Sequence, residues 1–401
     1  MSQGHLMPLE EALASLLAMA DTQRLTQSET LALDHARQRV LTSDLLATLD
    51  LPPWANSAMD GYALNLQHWD GQPLVVSQTI FAGQPGDPLQ PGTCARIFTG
   101  APVPAGADCV EMQENVELLE DGRARFTQAL KPGQNIRPQG QENRAGDVLL
   151  QAGKRLGPFE LAVAAAQGCT ELQVVRRPRV ALLSTGDELL EPGMPMRPGC
   201  IYNSNRTLLR HWLDSLGCEV IDAGILPDQP QQTRFRLEQL QHGADLILTT
   251  GGVSAGDADC LGQVLRSDGR PLFWKLAIKP GKPLTVGHFG QVPVIGLPGN
   301  PASALVTFGL LARAYLLRIQ GVEQVAPLSV PVSVAFNWPK AGSRREYLRA
   351  RLENGRAVLY PNQSSGVLLG ASWADGLVEI LEGHTLQVGD AARFIPFSEL
   401  F

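Results

Sequence analysis

Between Arg179 and Gly321, apolar runs of strand length alternate with segments whose apolar residues recur at helical spacing. That alternation predicts a doubly wound α/β domain on a largely parallel sheet. Strands are expected at Val180 to Ser184, Glu219 to Ile225, Leu246 to Thr250, Phe273 to Ile278 and Val292 to Leu297. Helices fit Ser204 to Leu216, Gln231 to Gln241, Leu261 to Ser267 and Pro301 to Ile319. Upstream the texture differs: Met7 to Leu13 has the spacing of an amphipathic helix, Thr26 and Glu29 have capping-box spacing, and Asp34 is placed to cap Ala36 to Leu41. From Leu51 to about Gln139 short strands are broken by turns, as in Ala95 to Thr99 followed by Gly100-Ala101-Pro102-Val103-Pro104, and helical character returns at Pro158 to Gln167. The expected organisation is a discontinuous N-terminal domain (1–50 and 140–177) of mixed α/β type carrying an inserted β domain (51–139). An α/β domain (178–326) and a barrel-like C-terminal β domain (327–401) follow.

A length of 401 residues favours several cores over one, so this multidomain α/β reading is unforced. Lys and Arg number 33 against 40 Asp and Glu, giving a net charge of −7, and no basic run is long enough to follow a phosphate backbone. Nucleic acid is therefore excluded as the expected partner, whereas a small anion is not. The N-terminus lacks both a basic start and an uninterrupted apolar stretch, so neither a signal peptide nor a membrane span is expected, and the cytoplasm is the expected location. Six scattered cysteines without CxxC spacing fit reduced thiols, and the seven histidines form no metal-binding motif. The chemistry is left to carboxylates, lysines, backbone amides and a hard metal ion.

In open α/β sheets ligands bind beyond the carboxyl ends of the strands, where loops and helix N-termini converge. The unusual loops of this domain all fall at that edge: Thr185-Gly186-Asp187-Glu188, Pro227-Asp228, Thr250-Gly251-Gly252-Val253-Ser254, Lys279-Pro280-Gly281-Lys282-Pro283 and Leu297-Pro298-Gly299-Asn300-Pro301. Gly251 and Gly252 let the backbone approach a ligand, their amides can form a nest for phosphate oxygens, and Ser254 adds a hydroxyl donor, although the motif alone also suits an ordinary strand-to-helix turn. Carboxylates beside phosphate make chemical sense when Mg²⁺ lies between them, and Glu188, Asp228, Asp257 and Asp259 are the candidate ligands; each also suits a solvated loop or a helix cap. Lys275, Lys279 and Lys282 have the charge to bind a tetrahedral oxyanion and a ligand phosphate together, a solvated basic face being the alternative. Pro301 suits a first helical turn with Asn300 as its cap, and the amides at Pro298-Gly299-Asn300 border the same edge. Outside this domain, Asp60 beside Gly61 either sits in a bend of the β domain or presents a carboxylate to a partner's cleft, while Gly100, Pro102 and Pro104 shape a rigid turn beside Thr99, a structural role.

These segments together resemble one family. Asn56-Ser57-Ala58-Met59-Asp60-Gly61-Tyr62-Ala63, Thr99 to Pro104, Ser184 to Leu189, Thr250 to Ser254, Lys279 to Pro283 and Leu297 to Pro301, in that order and along nearly the whole length, are similar to the molybdopterin molybdenumtransferase (MoeA) family, related to the E domain of gephyrin. The resemblance implies four domains, a MogA-like fold for the α/β domain, and a homodimer in which Asp60 and Thr99 of one subunit face the cleft of the other. It implies a reaction of adenylylated molybdopterin with molybdate, aided by Mg²⁺, that releases AMP. By position, Glu188, Asp228 and Asp259 serve metal and phosphates, Lys275 and Lys279 hold anions, and Pro298 and Pro301 shape their loop. Gly140-Gln141-Glu142 stands where relatives carry Gly-Glu-Asp, putting Glu142 in a carboxylate position, and Tyr202-Asn203-Ser204-Asn205 replaces Tyr-Asp-Ser-Asn. The alternatives are a MogA-like adenylyltransferase, and a carrier or scaffold that binds the pterin without chemistry; MogA-like pathway proteins are the implied partners.

Overall fold

The computed structural model describes residues 6–253 and 260–401, which divide into two compact units, one of Met1–Ser43, Ala152–Gly157 and Glu171–Phe401, the other of Asp44–Gln151 and Pro158–Thr170.

In the larger unit a six-stranded sheet runs in the order Glu219–Leu226, Arg179–Thr185, Leu246–Thr250, Val292–Leu297, Thr285–Phe289, Arg270–Trp274. The first four strands are parallel. Their period of two sends Val180, Leu182, Leu248, Ile295 and Leu297 to one face, against Leu209, Leu213, Phe308 and Leu16 from helices Ser204–Ser215, Pro301–Ile319 and Leu9–Thr22. Ala181, Leu183, Ile247 and Val294 point the other way, onto Leu237, Leu261 and Leu265 of helices Pro230–Leu240 and Cys260–Ser267. Burial on both faces explains why these strands read as continuous apolar runs. Pro301–Ile319 is long and apolar enough to cross a membrane, but 94% of it is buried, as befits a core helix; a π-helical turn, Phe308–Ala312, interrupts it.

Two expectations need correction here. The strand expected at Phe273 to Ile278 is split: Arg270–Trp274 stays in this sheet, while Ile278–Lys279 pairs in parallel with Arg345–Glu346 of the C-terminal barrel. The unexpected strand Thr285–Phe289 fills the gap, antiparallel to both neighbours, so Arg270–Trp274 still runs with the parallel set and its carboxyl end stays on the same edge. The helical reading of residues near Thr26 and Glu29 also fails. Ser28–Ala32 is a strand, alternately exposed and half-buried, paired with Glu171–Val175, and only Leu33–His35 makes a 3₁₀ turn. Cross-strand pairing won over a capping spacing that can occur by chance.

The C-terminal strands close a five-stranded barrel: Arg345–Glu353, Arg356–Leu359, Val330–Val334, Ala391–Pro396 and Gly376–Ile380, the last returning to Arg345–Glu353. Val334, Leu348, Val378 and Phe394 fill it.

The second unit carries a six-stranded sheet in the order Cys109–Met112, Gly61–Leu64, Thr93–Ile97, Leu74–Ile80, Arg123–Phe126, Val116–Leu118. Gly61 is required by close packing, since a Cβ there would lie 1.9 Å from the Glu111 carbonyl oxygen. Just beyond helix Pro158–Ala166, buried Gln167 ties its surroundings together: its Oε1 accepts the amides of Thr48 (2.9 Å) and Leu49 (3.2 Å), and its Nε2 donates to Asn143 Oδ1 (3.2 Å). Gln167→Ala leaves those groups without partners and is expected to cost about 2 kcal/mol, read as a lower urea midpoint.

Candidate functional site

Beyond the carboxyl edge of the six-stranded α/β sheet lies a cleft of about 1180 Å³, lined by all of the strand-end loops and by part of the barrel's Gly366 and Leu368 segment. Strand Arg179–Thr185 ends in Gly186, whose φ of +149 and lack of a Cβ let the Glu188 carboxylate fold back against it; a Cβ would meet Glu188 Oε2 at 2.5 Å. At the end of the neighbouring strand, the Asp228 amide donates to Asp187 Oδ1 (3.2 Å), which draws three carboxylates into one corner. Asp228 Oδ1 is buried with no hydrogen-bond partner, and burial first, then the charges of Asp187 and Glu188, holds its pKa above the usual carboxylate range. Among the described residues no group of three His, Cys, Asp or Glu side chains has metal-binding geometry. Glu188 and Asp228 thus offer two oxygen ligands in the cleft, and Asp257, Asp259 and Ser254 lie outside the described residues.

The central strand Leu246–Thr250 feeds Gly251 and Gly252, with φ of +89 and +63. Both pack on Thr185: a Cβ would fall 2.3 Å from the Thr185 carbonyl oxygen at Gly251, and 2.4 Å from Thr185 Oγ1 at Gly252. Gly251 N donates to the Leu297 carbonyl (3.1 Å), a correction to the two-amide nest expected from sequence, and of this pair the Gly252 amide is left for an anionic oxygen. Pro298, Gly299, Asn300 and Pro301 form the adjacent wall. Pro301 does open the helix, but Asn300, at the cap position, makes no side-chain capping bond, a correction to the cap expected from sequence; Ala304 N instead donates to the Asn300 backbone carbonyl (2.9 Å).

Asn205, which sequence reasoning did not single out, cross-ties these two loops. Its Nδ2 donates to Thr250 Oγ1 (2.9 Å) and to the Gly299 carbonyl (2.7 Å), while its Oδ1, together with Thr185 Oγ1 and Asn203 Nδ2, is buried without a hydrogen-bond partner on the cleft wall. Asn203 caps helix Ser204–Ser215 by accepting the Arg206 amide. An Asn in the first turn of a helix that follows a rim strand is a usable sequence signal, but one shared with ordinary caps.

Lys275 and Lys282 line the opposite side. Their loop is fastened at both ends: Lys275 N donates to Leu284 O (3.1 Å), Leu276 N to Lys282 O (2.8 Å), and the Lys275 carbonyl accepts the Met7 amide (3.1 Å). Lys279 is not among the lining residues. The pairing of its short strand with the barrel turns it to Glu346, with Nζ 3.1 Å from Oε2. Trp274, Arg266 and Tyr202, none of them a candidate from sequence, also line the cleft.

The remaining candidates belong to the other unit. There Asp60 Oδ1 accepts the Thr99 amide (2.8 Å) and the Thr99 hydroxyl (2.7 Å), and these two bonds hold its carboxyl below the usual range. Thr99→Val removes the hydroxyl donor, so the Asp60 pKa is expected to move up toward its ordinary value in a carboxyl NMR titration. Glu142 is exposed, its amide donating to Leu51 O (2.8 Å). The cysteines are free thiols, and burial pushes Cys94 and Cys109 up to about 12, so neither is a nucleophile near neutral pH.

Three family descriptions match the chain: "MoeA N-terminal region (domain I and II)" over residues 7–168, "Probable molybdopterin binding domain" over 181–318 and "MoeA C-terminal region (domain IV)" over 331–397. A molybdopterin molybdenumtransferase of Haemophilus influenzae is 42% identical over 81% of each chain, and one of Nostoc sp. is 36% identical over 92% of this chain and 88% of its own. Two crystal structures of molybdopterin biosynthesis MoeA protein from Pyrococcus horikoshii cover 98% of this chain, with TM-scores of 0.83 and 0.76 at 27% and 30% identity, over 100% and 99% of their own lengths.

Proposed function

This chain belongs to the MoeA family, and we propose that it is a molybdopterin molybdenumtransferase whose rim cleft takes adenylylated molybdopterin and molybdate and releases AMP. The observation that carries the reading is the meeting of the double-glycine turn, two carboxylates and two lysines in one cleft of about 1180 Å³, roomy enough for a substrate with both a pterin and a nucleotide. The relatives carry the transferase name, so a MogA-like adenylyltransferase is the less favoured reading.

The residues present fit Mg²⁺: Asp228 has a buried oxygen without a hydrogen-bond partner beside Glu188, and a hard cation with only two protein carboxylates takes its other ligands from phosphates and water. Bound there, the ion neutralises charge on the bridging phosphates. The Gly252 amide, fixed by the packing of both glycines on Thr185, holds a phosphate oxygen in a set orientation, so no reorganisation is required as the linkage to AMP breaks. Lys275 and Lys282 hold the tetrahedral oxyanion as point charges on the facing wall. Asn205 keeps both loops in register. Lys279 acts through its ion pair with Glu346, at a distance from the lined cleft.

The proposal includes a homodimer in the cytoplasm, with the Asp60–Thr99 pair and Glu142 serving the partner's cleft. Exposed apolar side chains in their unit, Trp54, Val148 and Phe159, the last 85% accessible, support burial against another subunit. A MogA-like protein that adenylylates the pterin is the expected supplier of substrate.

The test is reconstitution with adenylylated molybdopterin, Mg²⁺ and molybdate, following AMP and metal-loaded pterin together. Molybdate-dependent AMP release is expected. Stoichiometric binding without release supports a carrier, and adenylylation of molybdopterin from ATP without consumption of the product supports the adenylyltransferase; either result refutes the proposal.

A further inference from the structure

Trp274 ends the edge strand of the α/β sheet and turns into the cleft wall, half-buried, beside Lys275. From helix Cys260–Ser267, the exposed Arg266 brings its guanidinium carbon 5.5 Å from the Trp274 ring centroid, and it too lines the cleft. Neither residue has a part in the phosphate, cation and oxyanion chemistry above. An aromatic face paired with a planar guanidinium is the usual protein surface for stacking a flat heteroaromatic ring, because dispersion and the ring quadrupole reward parallel planes. Position supports this. From the strand that carries the double-glycine turn to the Trp274 strand is three strand spacings, about 14 Å, so a ligand anchored by phosphate at Gly252 extends along the rim toward Trp274. The wall between them supplies Pro283, which suits a flat apolar face.

We propose that Trp274 and Arg266 form the ring-binding subsite of this cleft, stacking a planar nitrogen heterocycle carried by the substrate, either the pterin or the purine. This rests on the reading of the cleft as the substrate site, and it adds a residue that selects for ring-bearing over ring-free phosphate compounds.

The test is calorimetric titration of the full chain with three probes: AMP, pterin-6-carboxylate and ring-free ribose 5-phosphate, comparing wild type with Trp274→Ala, Trp274→Phe and Arg266→Ala. Trp274→Ala is expected to weaken one ring probe by about 10- to 100-fold while ribose 5-phosphate binds unchanged, with Trp274→Phe close to wild type and Arg266→Ala in between. Loss for AMP assigns the purine and loss for pterin-6-carboxylate assigns the pterin. The subsite is refuted if Trp274→Ala binds both ring probes as wild type does, or if ribose 5-phosphate weakens equally, which marks a structural role. If wild type binds none of the three probes, the reading of the cleft fails as well; a failure confined to the ring probes leaves that reading standing.

Discussion

Asp228→Asn is expected to slow molybdate-dependent AMP release by about 100-fold or more, a loss typical of removing one group that stabilises developing charge. The substitution keeps the size of the side chain but can replace the unpartnered carboxylate oxygen with an amide that cannot bind a cation. Folding should not suffer. Because burial and its acidic neighbours raise the Asp228 pKa above its unfolded value, the group favours the folded state only at low pH, and that contribution is gone once pH rises through the folded pKa. At neutral pH the variant is therefore expected to unfold at a urea concentration no lower than wild type. The same shift sets a pH dependence: as pH falls through the raised pKa, a proton competes with Mg²⁺, so the magnesium concentration for half-maximal rate should climb in wild type. In Asp228→Asn this dependence should be missing. Wild-type rates in the variant show that the carboxylate was assigned wrongly.

Gly251→Ala should be the most damaging single methyl group in the cleft. At φ +89 an L side chain is strained, and the Cβ would sit 2.3 Å from the carbonyl oxygen of Thr185, in a strand held by partners on both sides. Strain and clash together are expected to cost about 3 kcal/mol. Any protein that folds should have a displaced nest and AMP affinity reduced by at least tenfold. Gly299→Ala is the matched control, since its Cβ meets nothing closer than Gly251 Cα at 3.6 Å and its φ is not positive, so stability should fall by less than about 1 kcal/mol. Equal urea midpoints for the two variants contradict the close-packed nest.

The four parallel strands were legible because burial on both faces leaves an unbroken apolar run, and the loops at their carboxyl ends followed from that. Periodicity does not say which sheet a strand joins. Ile278 and Lys279 continue an apolar run yet pair with the barrel, which moves Lys279 from the expected oxyanion wall to Glu346 while Lys275 and Lys282 stay in the cleft. Thr285–Phe289 was missed because it follows a Pro- and Gly-rich turn that reads as the end of an element. Glu188 and Asp228 were legible as rim acids, but the missing hydrogen-bond partner of Asp228 Oδ1 depends on packing that no motif encodes. Asn205 looks like any residue of a first helical turn, and Trp274 like any edge-strand aromatic; only the folded cleft distinguishes them. Asp60 was legible as a carboxylate held in a turn, whereas the roles of Thr99 and Glu142 came from family resemblance, because an exposed side chain in a turn carries no periodic signal.

Manganese can replace magnesium and scatters X-rays anomalously, so a crystal grown with Mn²⁺ and AMP reads the cation and phosphate positions at once. The account predicts one anomalous peak within ligand distance of Glu188 and Asp228, and a phosphate seated on the Gly252 amide. A manganese peak elsewhere, or a phosphate bound away from that amide, would contradict it.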